Sequence, residues 1–172
     1  MKFDPVPMKR TLFILVVFLI LQAVTSWVGK PYWINMTNSE QRGLYRMKKL
    51  ERPPRRGEMV FLTVPKPYHK YVYGRKWLPA GWPLLKHVRA VPGDFFCSQE
   101  SSFAINGSIT GPVYRTDEEG LPLPHLEGCQ QIVEGQFLPV GVHIKRSFDG
   151  RYMEPVSVTR IVGLASPIWV LP

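Results

Sequence analysis

A chain of 172 residues with 45% hydrophobic content has material for one modest core and excludes two independent ones. Its formal net charge of +9 suits a surface of anionic lipid headgroups. Nucleic acid is disfavoured as a partner, because the basic residues are scattered among prolines, glycines and acids with no helix-turn-helix, zinc or RNA-recognition signature.

The first element is the run from Thr11 to Val28, 18 residues without a charge, or roughly 27 Å of helix, just enough to span a bilayer. Lys2, Lys9 and Arg10 against Asp4 precede it, and Trp27, Tyr32 and Trp33 follow as interfacial anchors, which places the amino terminus in the cytoplasm. The expected organisation is a cytoplasmic tail over 1–10, a single-pass anchor in the inner membrane over 11–28 and an extracytoplasmic domain over 29–172. Small residues at Ala23, Thr25 and Ser26 also fit a cleaved secretory signal. Either way the body lies outside the cytoplasm. Removing Lys2, Lys9, Arg10 and Asp4 from 22 basic and 13 acidic residues leaves 19 and 12, so that body carries +7. Cys97 and Cys129 lie within it, where oxidising conditions favour a disulfide. Two buried thiols are the alternative.

Beyond the anchor, prolines and glycines recur too often for long helices, and short apolar runs between turn signals predict a mainly β fold. Strands are expected at Gly43 to Lys48, Met59 to Val64, Pro83 to Val91, Phe95 to Cys97, Phe103 to Ile105, Ile109 to Tyr114, Gln136 to Ile144 and Ile161 to Trp169. Asn106-Gly107 predicts a tight hairpin, because both residues tolerate positive φ. The stretch from Pro65 to Gly81 is too rich in proline to be one strand and reads as a surface excursion. The stretch from Asp117 to Gly128 reads as a loop.

Four segments stand out: Thr37-Asn38-Ser39-Glu40-Gln41-Arg42-Gly43-Leu44-Tyr45, Arg56-Gly57-Glu58-Met59-Val60-Phe61, Lys86-His87-Val88-Arg89-Ala90-Val91-Pro92-Gly93-Asp94 and Ser147-Phe148-Asp149-Gly150-Arg151-Tyr152. Their order and spacing resemble the signal peptidase I family, and most of all its conjugative-transfer branch, the TraF-like serine peptidases that process pilin precursors. The resemblance implies antiparallel coiled β-sheets behind one transmembrane helix, with a Ser-Lys dyad in an apolar groove facing the membrane. It makes Ser39 the nucleophile, in register with Gly43 and Tyr45, although Glu40-Gln41 stands where Met-Pro is usual. Lys86 becomes the general base, Ser39 N–H and the Thr37 hydroxyl the oxyanion donors, and Ser147, Asp149 and Arg151 the support around the lysine. Gly150 replaces the usual serine, and Val140-Gly141-Val142-His143 stands where a Gly-Asp pair is common.

The chemistry of the lysine can be stated without the family. A free lysine, with pKa near 10.4, is protonated at neutral pH and cannot take a proton from serine, so the site must strip water from the amine. On a strand, Leu84 and Val88 share a face with Lys86 and supply that dryness. No metal or other cofactor is expected, since His69, His87, His125 and His143 are too dispersed for ligand spacing. The glycosylation patterns at Asn35 and Asn106 are discounted, because a glycan at Asn35 would crowd the nucleophile. The substrate implied is an exported pilin-like precursor, cleaved or cyclised, with membrane lipid and a conjugation or secretion apparatus as further partners. A catalytically degenerate relative serving as an assembly component is the alternative.

Overall fold

The structure, a computed structural model, describes residues 8–28 and 32–171, which fall into two compact units parted between Tyr32 and Trp33. The first holds one helix, α1 (Met8–Val28), built on an apolar run with no Gly or Pro to interrupt it. Leu12 through Leu21 are all exposed. Among the described residues no helix is long and apolar enough to cross a membrane. Residues 1–7 of the expected tail lie outside the described residues.

The remainder is mainly β. Its strands are β1 (Tyr32–Asn35), β2 (Gly43–Lys48), β3 (Met59–Leu62), β4 (Leu84–Ala90), β5 (Phe95–Gln99), β6 (Ser102–Ile105), β7 (Ser108–Pro112), β8 (Gly128–Gln131), β9 (Gln136–Val140), β10 (Val156–Ser157) and β11 (Ile161–Val170). They form one sheet in the order β1-β2-β11-β3-β4-β9-β10 and a second in the order β7-β6-β5-β8. The ladders from β2 to β10 and through the second sheet are antiparallel. The long strand β11 pairs with both β2 and β3, and register shifts near Gly163 and Pro167 let it bend between them.

The hairpin at Asn106-Gly107 forms as its residues predict, with φ of 49° and 79° and Ile105 opposite Ser108. Cys97 and Cys129 stand opposite each other on β5 and β8 and are joined by a disulfide. β8 falls at the end of the expected loop, and β1 and β10 fall where no strand was expected.

The stretch from Pro65 to Gly81 departs from its expectation. It forms a 3₁₀ turn (Lys66–Tyr68) and a short helix α2 (His69–Val72), and it is no mere excursion, because Val72 is fully buried among Val60, Leu62 and Leu84. Its aromatics converge on Phe148, which stacks on Tyr71 at 5.7 Å and on Tyr152 at 5.6 Å and meets Trp77 at 5.4 Å. Packing of the partly buried Phe148 in that cluster holds the backbone between Ser147 and Asp149. The Pro92-Gly93-Asp94 turn that follows β4 is tied similarly. Asp94 accepts from Val91 N–H and from Asn106 Nδ2, both at 2.8 Å, and pairs with Arg56.

Candidate active site

Lys86 lies in the middle of β4, between Leu84 and Val88, which belong to one buried core. Its cross-strand neighbour is Val60, and Leu84, Val88 and Val60 are all buried. The whole side chain is 1% exposed. Burial pushes its pKa down to about 8, against the pull of Asp149 and Glu40, which favour the ammonium, while Arg151 opposes it. A population of neutral amine thus exists close to neutral pH, the state a general base requires.

The Lys86 amine donates to Ser147 Oγ at 2.8 Å. Ser147 is held from behind by a buried ion pair. Asp149 Oδ1 accepts from Arg151 Nε and Asp149 Oδ2 from Arg151 Nη2, both at 2.9 Å, and the two residues are almost wholly buried. Arg151 also donates to the carbonyls of Ser147 at 3.1 Å and Lys145 at 2.7 Å, while Asp149 Oδ2 takes the Gly141 N–H at 2.8 Å. This is no surface pair of small worth, because removal of either charge would strand the other away from water.

Two glycines of these segments find their reasons in this geometry. A Cβ on Gly150 would come within 2.7 Å of the Pro139 carbonyl and 2.8 Å of Leu138 Cδ1, so the serine usual at this place does not fit. A Cβ on Gly141 would collide with the Ser147 hydroxyl and lie 3.1 Å from the Ser39 carbonyl. The close approach of the Ser147 and Ser39 segments therefore depends on that glycine.

Ser39 is half-buried in the turn between β1 and β2. Asn35, at the end of β1, holds that turn. Its Nδ2 donates to the carbonyls of Thr37, Glu40 and Gln41 at 3.1, 3.2 and 3.0 Å, and its Oδ1 accepts from Thr37 N–H at 3.1 Å. Tyr45 OH adds a bond to the Gln41 carbonyl at 2.6 Å. Sequence reasoning noticed Asn35 only as a glycosylation match and missed this clamp, although a polar residue at the buried end of an aromatic-rich strand was its signal. Asn35 is 7% exposed with its amide fully engaged, so it offers no acceptor for a glycan.

The Thr37 hydroxyl carries one proton, and it goes to Asn35 Oδ1 at 2.8 Å. Its oxygen then faces Ser39 Oγ at 3.3 Å as an acceptor. In this free state it is not aimed as an oxyanion donor. Nor does a direct hydrogen bond join Ser39 to Lys86 among the described residues. Both side chains do line one groove of about 600 Å³, together with Ser147, Phe61, Trp82 and Leu85. Trp82 and Trp33 meet edge to face at 5.5 Å along its wall. The groove is thus apolar, with a dry amine and a hydroxyl on its floor. Among the described residues no group of His, Cys, Asp and Glu could hold a metal ion.

Residues 8–170 match the sequence family described as signal peptidase, peptidase S26. The "Conjugal transfer protein TraF" of Agrobacterium fabrum (strain C58) is 32% identical over 154 residues, covering 80% of this chain and 82% of that protein. The "Probable conjugal transfer protein TraF" of Sinorhizobium fredii (strain NGR234) is 31% identical over 156 residues, covering 83% and 79%. A crystal structure of a signal peptidase I from Enterococcus faecalis V583 superposes with a TM-score of 0.40 at 18% identity, over 67% of this chain and 98% of that one.

Proposed function

This chain belongs to the signal peptidase, peptidase S26, family, and on that premise we propose that it is a serine endopeptidase in which Ser39 attacks a peptide carbonyl and Lys86 takes its proton. The observation that carries the reading is the amine of Lys86, buried in the floor of an apolar groove with a pKa of about 8. A structural lysine would more simply extend its ammonium into water. The substrate would lie in the groove as an extended strand. On approach of the carbonyl, Lys86 accepts the Ser39 proton while Ser147 keeps the amine aimed. The Ser39 N–H receives the developing oxyanion, joined by the Thr37 hydroxyl once it turns away from Asn35. Collapse of the intermediate breaks the peptide C–N bond, the departing amine takes the proton from Lys86, and the acyl group left on Ser39 is released by water, or by an amine if the product is cyclised.

The substrate we infer is an exported, pilin-like precursor, on the ground that the curated relatives are conjugal transfer proteins. The exposed apolar run Leu12 to Leu21 supports residues 11–28 as an inner-membrane anchor, with 1–10 cytoplasmic and 29–172 the extracytoplasmic peptidase domain. Membrane lipid and a conjugation or secretion apparatus would then be its surroundings.

A second reading, a non-catalytic assembly component on the same scaffold, is favoured by the missing hydrogen bond between Ser39 and Lys86. Free enzymes often show such bonds long or unmade until substrate binds, so the peptidase reading stands first. The test is cleavage of a candidate pilin precursor by the purified chain in detergent. Cleavage by the native chain, and none by Ser39→Ala or Lys86→Ala variants of native fold, is the expected result. Equal processing by either variant would remove the dyad.

A further inference from the structure

Glu40, next to the nucleophile and foreign to the usual family pattern, favours the Lys86 ammonium by its charge, and its side chain is only 2% exposed. Its Oε1 lies 3.0 Å from Nδ1 of His87 and 3.3 Å from the N–H of Val142, which donates to it. His87 follows Lys86 on β4, and Val142 follows Gly141 on the segment that leads from β9 to Ser147. The main chain of the same turn is tied to that segment as well, through His143 N–H donating to the Ser39 carbonyl at 3.4 Å.

We propose that Glu40 is a positioning residue, whose carboxylate locks the Ser39 turn to the Lys86 strand and to the Ser147 segment with His87 as its counter-group. This rests on the peptidase reading. An apolar side chain at position 40 could be buried equally well but would bond to nothing, leaving the turn free to settle by packing alone. A buried carboxylate is tolerable only where donors meet it, and here they come from two segments 47 and 102 residues away in the chain. One position of the turn satisfies both. Errors of about 1 Å in such an alignment cost on the order of 100-fold in rate.

The same carboxylate acts on Lys86 at longer range. The charges felt by that amine are Asp149 and Glu40, which favour its protonated form, and Arg151, which disfavours it. Loss of the Glu40 charge therefore lets Lys86 shed its proton at lower pH. Alignment and charge separate in two variants: Glu40→Gln keeps the shape and an acceptor but no charge, whereas Glu40→Met keeps neither. A merely structural residue would move stability and leave the pH dependence alone.

The experiment uses the full chain in detergent micelles and an internally quenched peptide with small residues flanking its scissile bond, the form of an exported-protein cleavage site. Native chain, Ser39→Ala, Glu40→Gln, Glu40→Met and His87→Ala are compared after circular dichroism confirms folding. We expect Glu40→Met and His87→Ala to lower kcat by about 10- to 100-fold with KM little changed. Glu40→Gln should recover most of the loss of Glu40→Met, with the acid limb of its kcat profile displaced to lower pH. A native kcat in both Glu40→Met and His87→Ala, or an unmoved acid limb in Glu40→Gln, overturns the proposal. Should Glu40→Met not fold, His87→Ala and Glu40→Gln decide it on the same terms. Should the native chain leave the peptide uncut, the peptidase reading fails separately. The Lys86 amine titration by NMR in Glu40→Gln and hydrogen exchange of the Val142 amide in Glu40→Met then decide the lock, and values unchanged from the native chain in both overturn it.

Discussion

Replacing Lys86 by Met should stabilise the folded chain below pH 8 and lose that advantage as the pH rises. The amine has a pKa of about 8 in the fold against 10.5 for the ordinary group, so between these values the unfolded chain binds more protons than the folded one. Stability contributed by this site therefore increases with pH through that window. At pH 7 the folded chain bears the full cost of a charged, buried amine, about 3 kcal/mol for a shift of this size, and by pH 10 the residual cost is about 1 kcal/mol. Methionine is unbranched, fits the same channel between Val60, Leu84 and Val88, and titrates nowhere. It leaves the Ser147 hydroxyl without its donor, a loss of about 1 kcal/mol that does not vary with pH. The stability of Lys86→Met relative to the native chain should thus fall by about 2 kcal/mol between pH 7 and pH 10. Urea unfolding followed by tryptophan fluorescence at several pH values measures it, and comparison of the two proteins cancels the tyrosines, which titrate alike in both. A gap independent of pH would mean that Lys86 is not held near pKa 8, and the argument for a dry base would fall.

Three further outcomes follow from the site. Activity should rise with pH through about 8 as Lys86 loses its proton, and a rate profile flat from about pH 6 to 10 would contradict a lysine base. Asp149→Asn should destabilise the fold by about 3 to 5 kcal/mol by leaving the buried Arg151 uncompensated; thermal unfolding within about 1 kcal/mol of native would show that the pair is not the brace described. Thr37→Val should lower kcat by about 100-fold while Thr37→Ser stays near native. A native kcat in the valine variant would return Thr37 to the turn-holding bond it makes with Asn35.

Much of the scaffold was readable because local patterns carried it. β2 falls on Gly43 to Lys48 as its flanking signals predict, and the two-residue period of a strand places Leu84 and Val88 on the face of Lys86, where both are buried. The missed strands lack such patterns. β8 is exposed throughout and exists by pairing with β5 beside the disulfide, β10 is only two residues long, and β1 carries the tryptophan and tyrosine that suit a membrane interface equally well. The aromatics of residues 68–77 looked like surface because their partner, Phe148, is far along the chain. Within the site, Ser39, Lys86, Ser147, Asp149 and Arg151 were legible as spaced motifs. Asn35 and Glu40 were not, since their worth lies in hydrogen bonds that only the closed fold brings together. Gly150 was read as a lapse from the pattern, and the nearness of Pro139 and Leu138 explains it.

The central claim is that Ser39 forms a covalent acyl intermediate with a proton taken by Lys86. Intact-mass spectrometry of the full chain, quenched with acid during turnover of a precursor peptide and followed by peptide mapping, tests it directly. The expected result is a mass increase equal to the amino-side fragment of the precursor less one water, mapped to Ser39 and absent from Ser39→Ala and Lys86→Ala. An adduct on another residue, or cleavage that persists without Ser39, would contradict it.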